Sequence, residues 1–138
     1  MLSKKTQYAF KALMYLAEKN SGEPVLISEI SRKKKIPLKF LENILLELKK
    51  AGILHSKKGK GGGYFFNMQP AKIPLAKVMR LIDGPIALLP CISLNFYERC
   101  RNCDEKKCGL NRVMAQVRDA TLTILENKTV ADIASMNK

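Results

Sequence analysis

Histidine occurs once in this chain, and acidic side chains number 12 against 25 basic ones. The lone histidine, His55, has no nucleophile elbow to serve, which argues against a hydrolase and against catalysis in general. No apolar run approaches the roughly 20 residues that cross a bilayer. No long helix is basic on one face and apolar on the other, which disfavours an anionic membrane surface as partner. Aromatic residues make up 7% of the chain, and no strand carries the aromatic pattern of an RNA-recognition sheet. At the N-terminus, Lys11, Glu18 and Lys19 interrupt the apolar residues and no small-residue cleavage site follows. The expectation is therefore a mature, cytoplasmic protein that is not targeted to a membrane.

What is present in excess is positive charge, +13 overall. Residues 1–70 hold 14 Lys/Arg against 5 Asp/Glu, and residues 71–138 hold 11 against 7. A basic first half favours a polyanion, because neutralised phosphates release condensed counterions. A chain of 138 residues, 46% apolar, is one domain with room for an appended element, and it needs no disulfide scaffold.

The apolar periodicity predicts three helices in the first 50 residues. Residues 3–19 place Ala9, Leu13, Leu16 and Ala17 on one stripe with Ala12 beside it, behind Ser3 as N-cap. "NSGEP" breaks this helix and "VLI" makes a short extended link. Ser28 caps a second helix, "SEISRKKKI", which ends at Ile36-Pro37 because proline disfavours helix in the residue before it. The third helix starts at Pro37 or just after and runs to Lys50, with Leu38, Leu41, Leu45 and Leu48 as its buried face and Ile44 alongside. Gly52 stops it. "ILHSKK", a glycine run and "YFFNM" then read as a hairpin.

This order predicts a mainly α fold with a small β-hairpin wing (α+β), a winged helix-turn-helix, followed by a long C-terminal dimerisation helix. The expected division is a DNA-binding domain over 1–84, a cysteine-containing sensor loop over 85–108, and a dimerisation helix with its tail over 109–138. A fourth helix spans about 74–82. From Leu110 to Glu126, Leu110, Val113, Val117, Ala120 and Ile124 form one apolar face, and Met114, Leu122 and Leu125 form another. A helix apolar on two sides packs on its own domain and on a partner, so a homodimer is expected. "TVADI" starts a last capped helix.

In such a fold the third helix enters the major groove of double-stranded operator DNA and the wing reaches the backbone beside it. Lys39, Glu42 and Asn43 lie off the leucine stripe near the N-terminal end of that helix. Asn43 suits adenine, Glu42 suits cytosine N4, and Lys39 suits guanine or a phosphate. Lys33, in the run "RKKK" at 32–35, is a candidate phosphate contact, as is Tyr8 on the first helix beside Thr6 and Gln7. The run "SKKGKGGGYFF" at 56–66 lacks the lysine-Ser/Thr ending of a nucleotide loop, and no helix follows it. Its glycines allow a tight, closely approaching hairpin tip. Lys57, Lys58 and Lys60 bring charge to that tip, and Tyr64 anchors the returning strand.

Four cysteines, Cys91, Cys100, Cys103 and Cys108, fall within 18 residues of a polar, turn-rich segment. In a reducing compartment this grouping points to metal or redox chemistry over structural disulfides. Thiolates suit zinc and iron–sulfur clusters alike. Only one C-x2-C pair is present, short of a zinc ribbon, and the spacing misses the ferredoxin run. A cluster, zinc, a thiol–disulfide switch and a metal-free segment all remain open on spacing alone. His55 sits at the start of the wing and is a poor ligand candidate.

"IPLKFLENILLELKKAGILHSKKGKGGGYFF", residues 36–66, resembles the DNA-binding core of the IscR/NsrR/CymR-type bacterial transcription regulators. Phe40, Leu41 and Glu42 fill the first part of the family motif; Ser56, Gly59, Gly62, Gly63 and Tyr64 fill the second. Lys58 stands where relatives carry arginine. The cysteine segment and "VRDATLTIL…TVADI" resemble the family as well, so the likeness covers nearly the whole chain. The resemblance implies a dimeric repressor-type regulator of operator DNA that senses iron–sulfur, nitric oxide or redox status. It favours a 2Fe–2S cluster, with Cys91, Cys100, Cys103 and Cys108 as candidate ligands. Cluster-binding relatives offer three more evenly spaced cysteines and a fourth ligand from elsewhere, and the present spacing departs from that. The alternative is a metal-free or zinc-bound thiol-redox repressor.

Overall fold

Small side chains on the first helix let other helices pack against it closely. A computed structural model of the chain describes residues 2–19 and 22–137. Asn20 and Ser21, two of the five residues of the predicted "NSGEP" break, lie outside the described residues. Helix α1 is Lys4–Lys19, α2 Ile27–Lys34 and α3 Leu38–Lys50; strands β1 Leu54–Lys57 and β2 Gly63–Phe66 follow, then α4 Leu75–Ile82, α5 Gly109–Leu125 and α6 Val130–Met136. Ala9, Ala12 and Leu13 of α1 are fully buried with Ile30 of α2 and Leu41, Ile44, Leu45 and Leu48 of α3. Ile53, Leu54, Ile73 and Val78 extend this core beneath the hairpin and α4. Replacing one of these leucines by alanine removes roughly 2–5 kcal/mol, a large share of a small domain's stability.

Ser3 is an N-cap as expected: its Oγ accepts from the Thr6 amide at 3.1 Å and donates to Asp83 at 2.5 Å. Two expectations need correction. Ser28 does not cap α2, which begins one residue earlier behind Leu26, a residue with no side-chain cap bond. The reason lies in Val25, which pairs with Tyr64 of β2 and holds the chain extended up to Leu26. The Leu26 carbonyl then accepts from the Glu29 and Ile30 amides and starts the helix there. Leu38 is not part of the buried face but is 43% exposed. Residues 37–40 are all exposed, so the first turn of α3 stands clear of the core, and Ile36 fills the space beneath it instead.

β1 and β2 pair antiparallel from Leu54 opposite Phe66 to Lys57 opposite Gly63. Beyond α4 the chain makes two short 3-10 turns, Pro90–Ile92 and Glu105–Lys107, within the cysteine segment. α5 rests on the first of these turns and on α4. Its Leu122 is buried, while Leu110, Val113, Val117 and Ile124 are exposed along the other side. α6 then returns to pack on α1. Val130 joins the core, its amide donating to the Ile73 carbonyl at 3.0 Å. Thr129 and Asp132 close a capping box at the start of α6, as "TVADI" led one to expect. No helix among the described residues is long and apolar enough to cross a membrane.

Candidate nucleic-acid interface and cysteine cluster

The turn between α2 and α3 is tight because Lys35 adopts a left-handed conformation, φ 54°, uncommon for a side chain with a Cβ. Ser31 secures it: the Ile36 amide donates to the Ser31 carbonyl at 3.0 Å, and Ser31 Oγ donates to the Ile36 carbonyl at 2.5 Å. This turn sets α3 across α2 and leaves Lys39, Glu42 and Asn43 exposed on the side away from Leu41, Ile44, Leu45 and Leu48. Lys33 is exposed in the last turn of α2. Tyr8 lies beside this surface. Its ring meets Phe40 of α3 edge-on, centroids 5.6 Å apart, with Lys4 and Lys11 ammonium groups 5.4 and 5.9 Å from its centre. Phe40 entered the sequence reading only as a motif position; here it anchors Tyr8 to the exposed end of α3.

Lys57 ends β1, and exposed Lys58 and Lys60 stand on the tip between the strands. The tip needs glycine for concrete steric reasons. A Cβ on Gly62 would lie 2.3 Å from the Lys57 carbonyl oxygen, and one on Gly63, at φ +139°, would lie 2.2 Å from the Val25 carbonyl oxygen. Gly63→Ala is therefore expected to destabilise the protein by about 2 kcal/mol or more. Thermal unfolding followed by circular dichroism checks this; an unchanged midpoint would contradict the wing geometry.

The cysteine segment forms a second site. Cys91, Cys100, Cys103 and Cys108 all line one cavity of about 340 Å³, together with Glu105 and Asn111. Among the described residues, no three His, Cys, Asp or Glu side chains converge on a single-ion site. The thiols instead form two pairs. Cys100 and Cys103 have their sulfurs 2.8 Å apart. Cys91 and Cys108 are joined through Asn111, whose Nδ2 donates to Cys91 and whose amide donates to Cys108, both at 3.4 Å. Two thiolates on one tetrahedral metal stand roughly 3.8 Å apart, given metal–sulfur bonds near 2.3 Å, so Cys100 and Cys103 would have to part slightly to share one. Four soft donors, two and two around one cavity, fit a group with two metal centres by number and chemistry. His55 is not part of this lining; its ring lies against Phe65.

The hydrogen bond to Cys100 is the main reason the Cys103 thiol is pushed up to about 11, with partial desolvation and the charge of neighbouring thiolates adding to it. Glu105 ties this pair down: it accepts from Tyr97 Oη at 2.9 and 2.7 Å and from the Cys100 amide at 3.1 Å. The Tyr97 hydroxyl, then the Cys100 amide, hold the Glu105 carboxyl below its usual value. A depressed carboxyl contributes stability above its unfolded pKa and loses it as pH falls through the folded one. The clasp is therefore expected to open only at a pH below the ordinary carboxylate range. NMR signals of Tyr97 should shift in that window and, in Glu105→Gln, show no such step.

Asn111, Glu105 and Arg118 did not stand out in the sequence. Asn111 could have been found from its spacing of three after Cys108, the N-cap of α5. Arg118, in mid-α5, donates to the Ile92 carbonyl at 2.7 Å, a contact that no local pattern foretells.

A tight turn, a protruding helix end with free polar side chains and a lysine-tipped wing define a winged helix-turn-helix DNA-binding protein. The chain matches the Rrf2 family, described as iron-dependent transcriptional regulators, over residues 2–136. It belongs to that family and is a DNA-binding transcriptional regulator; the family's members are not enzymes. A protein named as an rrf2-like HTH-type transcriptional regulator in Rhodobacter capsulatus is 39% identical over 137 residues, covering 96% of this chain and 91% of its own. The regulator NsrR of Bacillus licheniformis is 30% identical over 132 residues, covering 96% and 90%. The structure of CymR, the global cysteine regulator of B. subtilis, superposes with a TM-score of 0.82 at 25% identity, covering 100% of this chain and 98% of that one.

Proposed function

We propose that this chain is a dimeric regulator that reads operator DNA with α3 and the wing and senses iron–sulfur, nitric oxide or redox status through its cysteine loop. The observation that carries the reading is the gathering of all four thiols around one cavity at the start of α5, the helix whose exposed apolar side a second copy would cover. Four unbridged cysteines suit the reducing bacterial cytoplasm. Glu42 and Asn43 contact base edges, Lys39 a guanine or a phosphate, and Tyr8, Lys33, Lys57, Lys58 and Lys60 the phosphate backbone. Cys91, Cys100, Cys103 and Cys108 would hold a 2Fe–2S cluster, which supplies a redox centre when bound.

The chain's own contacts carry the coupling. Asn111 fixes Cys91 and Cys108 to the first turn of α5, and Arg118 fixes the Pro90–Ile92 turn to its middle. At the far end, Arg80 of α4 pairs with Glu126 at 3.0 Å, and the Leu75 amide donates to the Lys128 carbonyl at 2.9 Å. A shift in the cysteine loop thus reaches α5 and α4 together. In a dimer built on α5, it changes the spacing of the two α3 helices, to which half-site binding is sensitive.

A specific observation keeps a second reading in play: the 2.8 Å contact between Cys100 and Cys103 also suits a metal-free or zinc-bound thiol-redox repressor. Anaerobic purification with visible spectroscopy and iron, sulfide and zinc analysis separates the two. The cluster reading expects colour with iron and sulfide in equal amounts. Colourless protein with zinc, or with no metal, favours the second reading.

Lys58 offers a point charge where relatives present a flat guanidinium that suits a narrow groove. Lys58→Arg is expected to tighten operator binding several-fold, about 1 kcal/mol, as measured by titration at fixed salt.

A further inference from the structure

We infer that Cys100 and Cys103 are a built-in dithiol that closes to a disulfide when no metal is bound, and that Cys91 and Cys108 are held out of that reaction. The inference rests on the reading of the cysteine loop as the sensing site only for its regulatory meaning. The chemistry follows from the contacts.

The two sulfurs already touch at 2.8 Å, and a disulfide requires them to close to about 2.05 Å. Only Arg101 and Asn102 separate the two residues, so a local adjustment suffices. Glu105 pins the Cys100 amide, and the exposure of Cys103 opens the pair to an oxidant. Cys91 and Cys108 face Asn111 instead, each accepting a hydrogen bond from it. Of the possible pairings, the fold has selected one.

The oxidant class that fits is a hydroperoxide. One thiol sulfur attacks the peroxide, the O–O bond breaks, water leaves and a sulfenic acid remains. The second sulfur attacks that sulfenic sulfur; the S–S bond forms, the S–O bond breaks and a second water leaves. In sum two thiols and one hydrogen peroxide give one disulfide and two waters, the sulfurs giving up the electron pair that the peroxide gains. Closure removes two of the four donors and so excludes the metal until a reductant restores them.

The test uses reduced, metal-free full-length protein treated with one equivalent of hydrogen peroxide, alkylated and digested with trypsin. Cleavage after Arg99 and Arg101 leaves Cys100 and Cys103 on separate peptides. The expected product is those two peptides joined, short of two hydrogens, with Cys91 and Cys108 alkylated. Cys91→Ser and Cys108→Ser should keep the bridge, and Cys103→Ser should replace it with a trappable sulfenic acid. A bridge between Cys91 and Cys108, a bridge between two chains, or four fully alkylated thiols would overturn the inference. The peptide map is independent of any cluster. Failure of the cluster reading shows instead in the metal analysis of the anaerobic protein.

Discussion

Replacing Asn43 by alanine is expected to cost roughly five- to 150-fold in affinity for the cognate duplex, the equivalent of about 1–3 kcal/mol for a lost base contact. Asn43 is exposed on α3, one turn beyond Lys39 and next to Glu42. Among the described residues, no side-chain hydrogen bond or ion pair engages any of the three. The substitution should therefore leave stability within about 0.5 kcal/mol, so that any loss is a loss of recognition. Glu42→Ala should relax discrimination at a single base position. Lys39→Ala, if Lys39 meets a phosphate, should weaken all sequences alike and lower the salt slope by about one. Competition titrations against point-mutated duplexes distinguish these patterns. Equal loss for every sequence in Asn43→Ala would place it outside the base contacts.

The second large effect concerns the cysteine loop. Cys100→Ser with Cys103→Ser is expected to abolish the visible absorbance and bound iron of anaerobically purified protein, not merely to reduce them, because two of four donors are lost together. The core made by α1, α3 and α6 lies elsewhere, so the thermal midpoint of the metal-free variant should match that of metal-free wild type. Retained iron would remove this pair from the ligand set. Arg118→Ala offers a subtler comparison: by releasing the Ile92 carbonyl, it should leave the thiols intact but blunt the effect of oxidation on DNA affinity.

The recognition fold was legible because its signals are local. The leucine spacing of α3, Pro37 before it and the glycines of the wing each act within a few residues. Tertiary context moved only the details. Leu38 has the right period for the core, yet it sits where α3 protrudes, and Ile36 takes its place. Ser28 has cap chemistry, but the pairing of Val25 with Tyr64 starts α2 before it. The cysteines were visible as a group, while their pairing was not, since it depends on Asn111 and Glu105 arriving from either side of Cys108. The two apolar faces of α5 were readable from period alone. That one of them remains open was known only once α4 and the Pro90–Ile92 turn had covered the other.

The central claim is sequence-specific duplex recognition by a pair of α3 helices. Selection of bound sequences from a random duplex pool, in the presence of excess competitor DNA, tests it most directly. The account predicts an enriched palindrome whose half-sites lie roughly one helical turn, or a multiple, apart, bound in a competitor-resistant and salt-dependent way. An unenriched pool, with binding that competitor DNA abolishes, would contradict it and leave only the general attraction of a basic surface.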